Sequence, residues 1–266
     1  MEIRENDNGR ESSKIASVAK AIRILSAFTD QEISLAAIAK ATGYPKTTVH
    51  GILSTLVDYN LVAHSESSQN YVLGTGLMEL AYHAKLSLTL VQIAAPVMNH
   101  ISRQSNQNVY LTTHSSGRLL YLEACYRDKA YIGYSESGKT LPMHCTASGK
   151  AMLAYMTDEQ VSAIVERYPL TRRTGNTIAD VSLLNRELEE TRKRGFAVDD
   201  EEETIGVKCV AVPVLQEQGI PVGALSLSGS AASMTMAKMY EYYELLSDQV
   251  RVLKTNAKLF PCRFLK

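Results

Sequence analysis

The chain has 266 residues, enough for one large domain or two modest ones with apolar cores. Its 28 basic and 28 acidic side chains give a formal charge of zero, so no overall basic excess marks it as a nucleic-acid binder. The four cysteines are widely spaced and form no disulfide framework, and no apolar run reaches the roughly 18 residues of a membrane span. These features favour a cytoplasmic protein without membrane contact, in which the polar residues 1–13 form a disordered tail.

Three short helices are predicted in the next part of the chain. The first, SVAKAIRILSAF, carries an apolar stripe at helical spacing and has Ser17 as its N-cap. The second, SLAAIAKATG, is capped by Ser34 and ended by Gly43 in the left-handed conformation. The third, YPKTTVHGILSTLVDYN, has Pro45 at its first position, where the missing N–H costs nothing.

The third helix has a small, polar outer face. Its buried stripe is predicted to be Val49, Ile52, Leu53 and Leu56. The pattern is that of a helix-turn-helix: two short helices, a tight turn that contains glycine, and a third helix with a polar outer face. In this arrangement the third helix enters the major groove of DNA. The alternating segment LVAHSESSQNYVL then predicts a β-hairpin, the wing. The predicted DNA-binding residues are Ser34, Lys46, Thr47, Thr48, His50, Gly51 and Ser54.

The electrostatic pattern of this segment is weak for a DNA reader. From Lys14 to Tyr71 there are five Lys or Arg and four Asp or Glu residues. Affinity would therefore depend on Ser, Thr and backbone donors to phosphate, and on doubling the module through dimerisation. A small helical bundle with a hairpin that contacts other proteins remains the alternative.

The segment SLAAIAKATGYPKTTVHGILSTLVDYNLV, with YVLG after it, closely resembles the winged-helix domain of the IclR family of bacterial transcription regulators. In that family Leu-Gly closes the wing and a linker helix follows, which TGLMELAYHAKLS fits with Leu77, Leu80, Ala81 and Ala84 on one face. One position departs from the family pattern, because Gly51 stands where an Arg usually follows the His of the recognition helix.

The remainder of the chain predicts an α+β domain with an antiparallel sheet. Strand hairpins around SSGR and EQG are interleaved with helices, including one capped by Asp158 and one capped by Asp180 and stopped by Gly195. LPMHCTASGKAMLA and RGFAVDDEEETIGVKCVAVPV resemble the GAF-like effector domain of the IclR family. The predicted domains are the winged helix-turn-helix at 14–75, the linker helix at 76–88 and the GAF-like α/β effector domain at 89–262.

Polar groups at strand and helix ends predict a small anion-accepting pocket. Ser226 and Ser228 lie two apart on one strand and therefore face the same way. A helix N-terminus near Ser148 offers free N–H groups to a carboxylate, and Asp199 would accept hydroxyl protons, which implies a hydroxy- or keto-acid. The resemblance implies the same positions. The predicted effector-binding residues are Thr146, Ala147, Ser148, Asp199, Cys209, Ser226 and Ser228.

Residues 133–140, GYSESGKT, match the phosphate-binding pattern G-x-x-x-x-G-K-[ST]. That pattern requires a helix beginning at Lys139 and Thr140, but Pro142 follows and the next residues have no helical periodicity. The segment therefore predicts a turn between extended segments. His144 and Cys145 are adjacent, which on a strand points them apart and does not favour a nucleophilic pair. With Asp199 and Cys209 they lack the ligand spacing of a zinc site.

Two functions from different classes follow. The first is a ligand-responsive, DNA-binding transcription regulator, predicted to be a repressor of a catabolic operon, that binds an operator and a small carboxylate effector, needs no cofactor, and assembles as a homodimer or a dimer of dimers. The second is a cytosolic enzyme centred on Cys145 or on residues 133–140, with the N-terminal helices as an interaction module. The recognition-helix pattern favours the first, because an enzyme has no need of it.

Overall fold

The computed structural model describes residues 15–29, 32–127, 136–216 and 218–257, with side chains to 253. Two compact units divide the chain, Met1–Ser87 and Leu88–Lys266. The predicted tail at 1–13 and the predicted end of the effector domain beyond 257 lie outside the described residues. Within the described ranges, no helix is both long and apolar enough to cross a membrane.

The described part of the first unit contains three helices, a two-stranded wing and a following helix. The wing strands β1 and β2 pair antiparallel, and Ile33 adds a single antiparallel bridge to Tyr71. A core of fully buried Ile24, Ile38 and Leu53 joins the three helices. The elements are α1 (Ala16–Ser26), α2 (Leu35–Thr42), α3 (Lys46–Asp58), β1 (Val62–His64), β2 (Tyr71–Leu73) and α4 (Gly76–Leu86).

Local capping sets the limits of the helix-turn-helix. The Ala37 N–H donates to Oγ of Ser34 at 3.2 Å, and Gly43 ends α2 with φ of 72°. Pro45, predicted at the first position of α3, is instead its N-cap, and the helix begins at Lys46. The prediction for α1 is wrong by two residues: its N-cap is Ile15, and Ser17 lies inside the helix. The apolar periodicity that located the helix continues past its first serine, so it does not fix the first turn.

In its described residues, the second unit has a six-stranded antiparallel sheet flanked by helices, which confirms the α+β prediction. The strand order is β5-β4-β3-β8-β7-β6. Its elements are α5 (Thr89–Ser105), β3 (Asn108–Ser115), β4 (Arg118–Cys125), β5 (Thr140–Pro142), α6 (Ala147–Leu153), α7 (Asp158–Arg167), α8 (Val181–Arg194), β6 (Ala197–Asp200), β7 (Val207–Leu215), β8 (Pro221–Ser230) and α9 (Met236–Ala257).

The two faces of the sheet carry different side chains. Val210 and Leu227 belong to a large apolar core with α5 and α9. Ala211, which follows Val210 on β7, and Ala224 on β8 point to the opposite face and pack with α6 and α8. Small residues on this second face let α6 pack closely against β6, β7 and β8.

Two predicted helix caps and the phosphate-loop segment can be compared with the structure. Asp180 caps α8 by accepting from the Leu183 N–H at 2.9 Å, and Gly195 ends that helix with φ of 85°. The cap predicted for α7 is wrong, because Thr157 holds that position in a reciprocal capping box and Asp158 is the first helical residue. A phosphate-binding loop would require a helix at Thr140, but Thr140 begins strand β5, which is the extended segment predicted there. Residues 133–135 of that pattern lie outside the described residues.

Candidate functional site

The outward positions of α3 form one polar, exposed face. Thr48 is half-buried, and Ser34 is half-buried because its hydroxyl caps α2. A Cβ atom placed on Gly51 would meet no atom within 4 Å, so this position on the face is open. The exposed residues of the predicted set are Lys46, Thr47, His50, Gly51 and Ser54.

The wing is held by a carboxylate that the sequence did not indicate. Glu32 Oε1 accepts from the Ser65 hydroxyl at 2.5 Å, and its Oε2 accepts from the Ser68 hydroxyl at 2.8 Å. The hydrogen bonds from Ser65 and then Ser68 lower the pKa of Glu32. Glu32 therefore fixes the hairpin turn to the segment before α2, and it stays ionised at neutral pH.

In the second unit, the seven predicted effector-binding residues all line one cavity. Its volume is about 280 Å³. It lies between the first turn of α6 and the sheet face that carries β6, β7, β8 and β3. The predicted residues at its wall are Thr146, Ala147, Ser148, Asp199, Cys209, Ser226 and Ser228.

Strand register explains why these residues come together. Asp199 on β6 is paired with Cys209 on β7, and Cys209 is paired with Ser228 on β8. Ser228 is in turn paired with Asn108 on β3, which completes a row across four strands. Two residues away on the same face, Ser226 pairs with Tyr110.

The cavity also has walls that the sequence analysis did not name. The rings of Tyr110 and Tyr121 meet edge to face with centroids 5.3 Å apart. No sequence signal gave these residues, because nothing in a strand's own pattern tells which other strand lies beside it. The additional lining residues are Asn108, Tyr110, Tyr121, Glu136, Lys139, Leu141, Glu203, Thr204 and Val207.

The first turn of α6 presents backbone donors at this cavity. Thr146 is the N-cap, and its hydroxyl accepts from the Gly149 N–H at 3.2 Å. The N–H groups of Ala147 and Ser148 have no acceptor within the helix. A Cβ on Gly149 would lie 2.1 Å from the Met143 carbonyl oxygen, so glycine is required for the turn to pack against the preceding segment.

The Asp199 carboxyl group is buried, and its pKa is raised. The Asp199 side chain is 3% exposed, although the DDEEE run to which it belongs reads as a solvated acidic turn. Oδ1 accepts from the N–H of Glu202 at 2.8 Å and from that of Glu203 at 3.4 Å. Burial raises the pKa of Asp199 to about 7. The carboxyl group is therefore partly protonated at neutral pH, when it can donate a hydrogen bond as well as accept one.

The other charged groups at the cavity wall are paired. Glu203 lies 2.9 Å from the Arg173 guanidinium, and Glu136 lies 2.8 Å from Nζ of Lys139. Each carboxylate charge is thus compensated locally. Asp199 has no such cation in direct contact among the described side chains, which leaves its protonation sensitive to what enters the cavity.

Cys145 and His144, two features behind the enzyme alternative, lack the properties of an activated nucleophilic pair. Burial raises the pKa of the Cys145 thiol to about 12, so it is protonated at neutral pH, which is the unreactive form. Nε2 of His144 lies 3.1 Å from the Thr171 carbonyl oxygen and is committed there. In the part of the chain that the structure describes, no group of three or more His, Cys, Asp or Glu residues could hold a metal ion.

Known proteins match the chain over both units. The IclR helix-turn-helix domain model matches residues 17–66, and the bacterial transcriptional regulator IclR C-terminal model matches residues 83–255. The HTH-type transcriptional regulator XynR of Escherichia coli K12 is 33% identical over 236 residues, 88% of this chain and 94% of that protein. The transcriptional repressor IclR of the same strain is 25% identical, covering 87% and 86%. A crystal structure of an IclR homologue from Microbacterium hydrocarbonoxydans, complexed with 4-hydroxybenzoate, has a TM-score of 0.76 at 22% identity, covering 91% of this chain and 99% of that chain.

Proposed function

The chain belongs to the IclR family of bacterial transcription regulators, and from this premise we propose that it is a repressor of a catabolic operon whose second unit binds a small hydroxy- or keto-carboxylic acid. Its first unit would bind the operator through α3 and the wing. The relative named as a transcriptional repressor supports the sign of regulation. The 4-hydroxybenzoate bound by the Microbacterium homologue belongs to the proposed chemical class of effector.

The cavity carries this proposal. Donors for an anion converge there from the N–H groups of Ala147 and Ser148 at the start of α6. The hydroxyls of Ser226 and Ser228 lie on the strand that forms the floor. A carboxylate at the helix end and hydroxyl or keto oxygens at the strands would leave few buried polar groups unpaired.

Asp199 would distinguish the effector from a plain carboxylic acid. In its ionised form it accepts a hydrogen bond from an effector hydroxyl, and in its protonated form it donates one to a keto or carboxylate oxygen. The raised pKa makes both forms accessible at neutral pH. An acid with no oxygen outside its carboxylate would offer Oδ2 of Asp199 no hydroxyl or keto partner, which costs binding energy.

DNA affinity in this proposal comes from a homodimer, assembled further into a dimer of dimers. A single α3 presents one lysine, Lys46, on its exposed face. Two recognition helices about one DNA turn apart would add their contacts on one side of the duplex. The linker helix α4 supplies an apolar stripe for this association, in which Leu77 is half-buried and Leu80, Ala81 and Ala84 are exposed.

Two measurements test the proposed function. The first is a gel shift with DNA from beside the protein's own gene, run with and without a panel of small organic acids. We expect a specific complex that hydroxy- or keto-acids dissociate. The second is a thermal-shift screen with the same acids, in which a ligand of the folded state raises the Tm. Absence of specific DNA binding would refute the regulator, and stabilisation only by ligands that lack a carboxylate would refute the effector class.

A further inference from the structure

Behind the cavity, Lys150 of α6 is buried with its charge. Its side chain is 1% exposed, and its Nζ forms an ion pair with the carboxylate of Glu202. Oε1 of Glu187 on α8 lies 3.9 Å from the same Nζ and 2.5 Å from the Arg194 guanidinium. Glu202 is itself buried, and this burial raises the pKa of its carboxyl group.

The backbone of Glu202 reaches the cavity while its side chain reaches the ion pair. Its N–H donates the 2.8 Å hydrogen bond to Asp199 Oδ1. Its carbonyl oxygen accepts from the Thr177 hydroxyl at 2.7 Å, and the carbonyl oxygen of Glu201 accepts from Thr174 at 2.7 Å. One residue therefore connects α6, the turn after β6, and the cavity carboxyl group.

Stability alone does not account for this pair. Desolvation of two charges offsets their attraction, and apolar side chains of similar size often serve as well in a protein interior. The pair instead joins two parts that must stay in register: the helix whose first turn lines the cavity, and the turn whose N–H groups hold Asp199.

We propose that Glu202 and Lys150 are positioning residues for the effector cavity, and that their charges set the protonation state of Asp199. This inference rests on the proposed function for its biological meaning, but its structural content concerns only the second unit. Loss of the Glu202 charge would leave the Lys150 cation near Asp199 with only Glu187, which is 3.9 Å away and paired with Arg194, and this favours the ionised form of the aspartate.

All ionisable groups near Asp199 enter this balance. Glu203 is neutralised by Arg173, and both cysteine thiols near the aspartate are held protonated by burial. Replacement of either Lys150 or Glu202 therefore changes the net charge near Asp199. The groups are Cys145, Lys150, Glu202, Glu203 and Cys209, with Arg173 and Glu187 one contact further away.

The test is a pH titration of the Asp199 carboxyl carbon by ¹³C NMR in the full, effector-free chain labelled at aspartate. The Asp199→Asn variant assigns the resonance. We expect Glu202→Gln, which keeps the shape of the side chain, to lower the midpoint by about one pH unit or more, as an unpaired cation nearby does. Glu187→Gln is the matched control, since it removes an equal charge beside Lys150 but leaves the Lys150–Glu202 pair intact; its midpoint should stay unchanged.

A double variant, Lys150→Met with Glu202→Gln, keeps the test decisive if Glu202→Gln alone does not fold. Both charges are then absent, and the midpoint should fall below that of the wild type, because the Glu202 carboxylate raises the pKa of Asp199 more than the Lys150 cation lowers it. A wild-type midpoint in either variant would overturn the proposal, because it would show that the Lys150 and Glu202 charges do not affect the protonation of Asp199. Because the titration uses no effector, its failure is distinct from failure of the organic-acid screen.

Discussion

A Cβ atom on Gly74 would lie 2.1 Å from the carbonyl oxygen of Asn60, closer than real Cβ atoms approach. The same region is tied by backbone hydrogen bonds: the Gly74 N–H donates to Leu61 and the Gly76 N–H donates to Asn60, both at 2.9 Å. The end of the wing is thus packed directly on the chain that leaves the recognition helix. This contact fixes the wing relative to α3.

Replacement of Gly74 by Ala should destabilise the first unit, because the wing must move to relieve the clash with backbone. We expect a lower Tm for that unit and weaker DNA binding, measured by calorimetry and gel shift. Gly51→Ala is the matched control, since its new methyl group meets nothing within 4 Å. Equal behaviour of the two variants would show that the contact at Gly74 is unimportant.

The open surface at Gly51 allows a gain-of-function test. Gly51→Arg should tighten DNA binding and steepen the dependence of log K on log salt by about one unit, because one more phosphate or base contact is made. Gly51→Ala should stabilise the helix by about 1 kcal/mol with an unchanged salt slope. Titrations at several salt concentrations measure both. If the Arg variant binds no better than the Ala variant, this face of α3 does not reach the DNA.

Lys46 should contact phosphate rather than a base. Lys46→Ala is expected to weaken binding to all sequences alike and to reduce the salt slope by about one unit. Lys238→Ala, which removes an exposed lysine of the other unit, should leave the slope unaltered. A loss confined to one base position of the operator would make Lys46 a base reader and contradict the assignment.

Asp199 predicts a pH-dependent stability. Its pKa in the folded protein, about 7, lies above the ordinary value of 3.8, so the protonated form favours folding. That contribution is complete below the unfolded pKa and disappears as the pH rises through about 7. The stability of Asp199→Asn relative to the wild type should therefore increase as the pH rises from 4 to 7 and then stay constant above pH 7. At roughly 1.4 kcal/mol per pKa unit, the difference in the free energy of unfolding is at most about 4 kcal/mol. Parallel pH profiles of the two Tm values would contradict the buried, raised pKa.

Local sequence signals located much of this fold. Ser34 and Gly43 limit α2 through a side-chain cap and a left-handed backbone, both of which depend on residues close in sequence. Ser226 and Ser228 share a strand face for the same kind of reason. The family resemblance added Asp199 and the start of α6, and the structure places these around one cavity. Their role in effector binding stays a prediction.

The cavity wall at Tyr110 and the buried Lys150–Glu202 ion pair could not be predicted from the sequence, because both depend on contacts between residues far apart in the chain. Tyr110 reaches the cavity only because β3 lies beside β8, which follows more than a hundred residues later. Lys150 and Glu202 looked like ordinary charged residues, the second within an acidic run. Their burial as a pair comes from the packing of α6 over the end of β6, and no local pattern records that packing.

In the proposed function, the cavity of the second unit controls DNA binding by the first. The direct measurement is the DNA affinity of wild type and Asp199→Asn as the acid found in the thermal screen is added. Asn keeps an oxygen acceptor for the Glu202 and Glu203 N–H groups, so the turn should remain in place. We predict equal effector-free DNA affinity and an effector response in the wild type that the variant loses or shows only at much higher concentration. An unchanged response in the variant would show that the effector binds elsewhere, and lost DNA binding without effector would show that Asp199 is a structural residue.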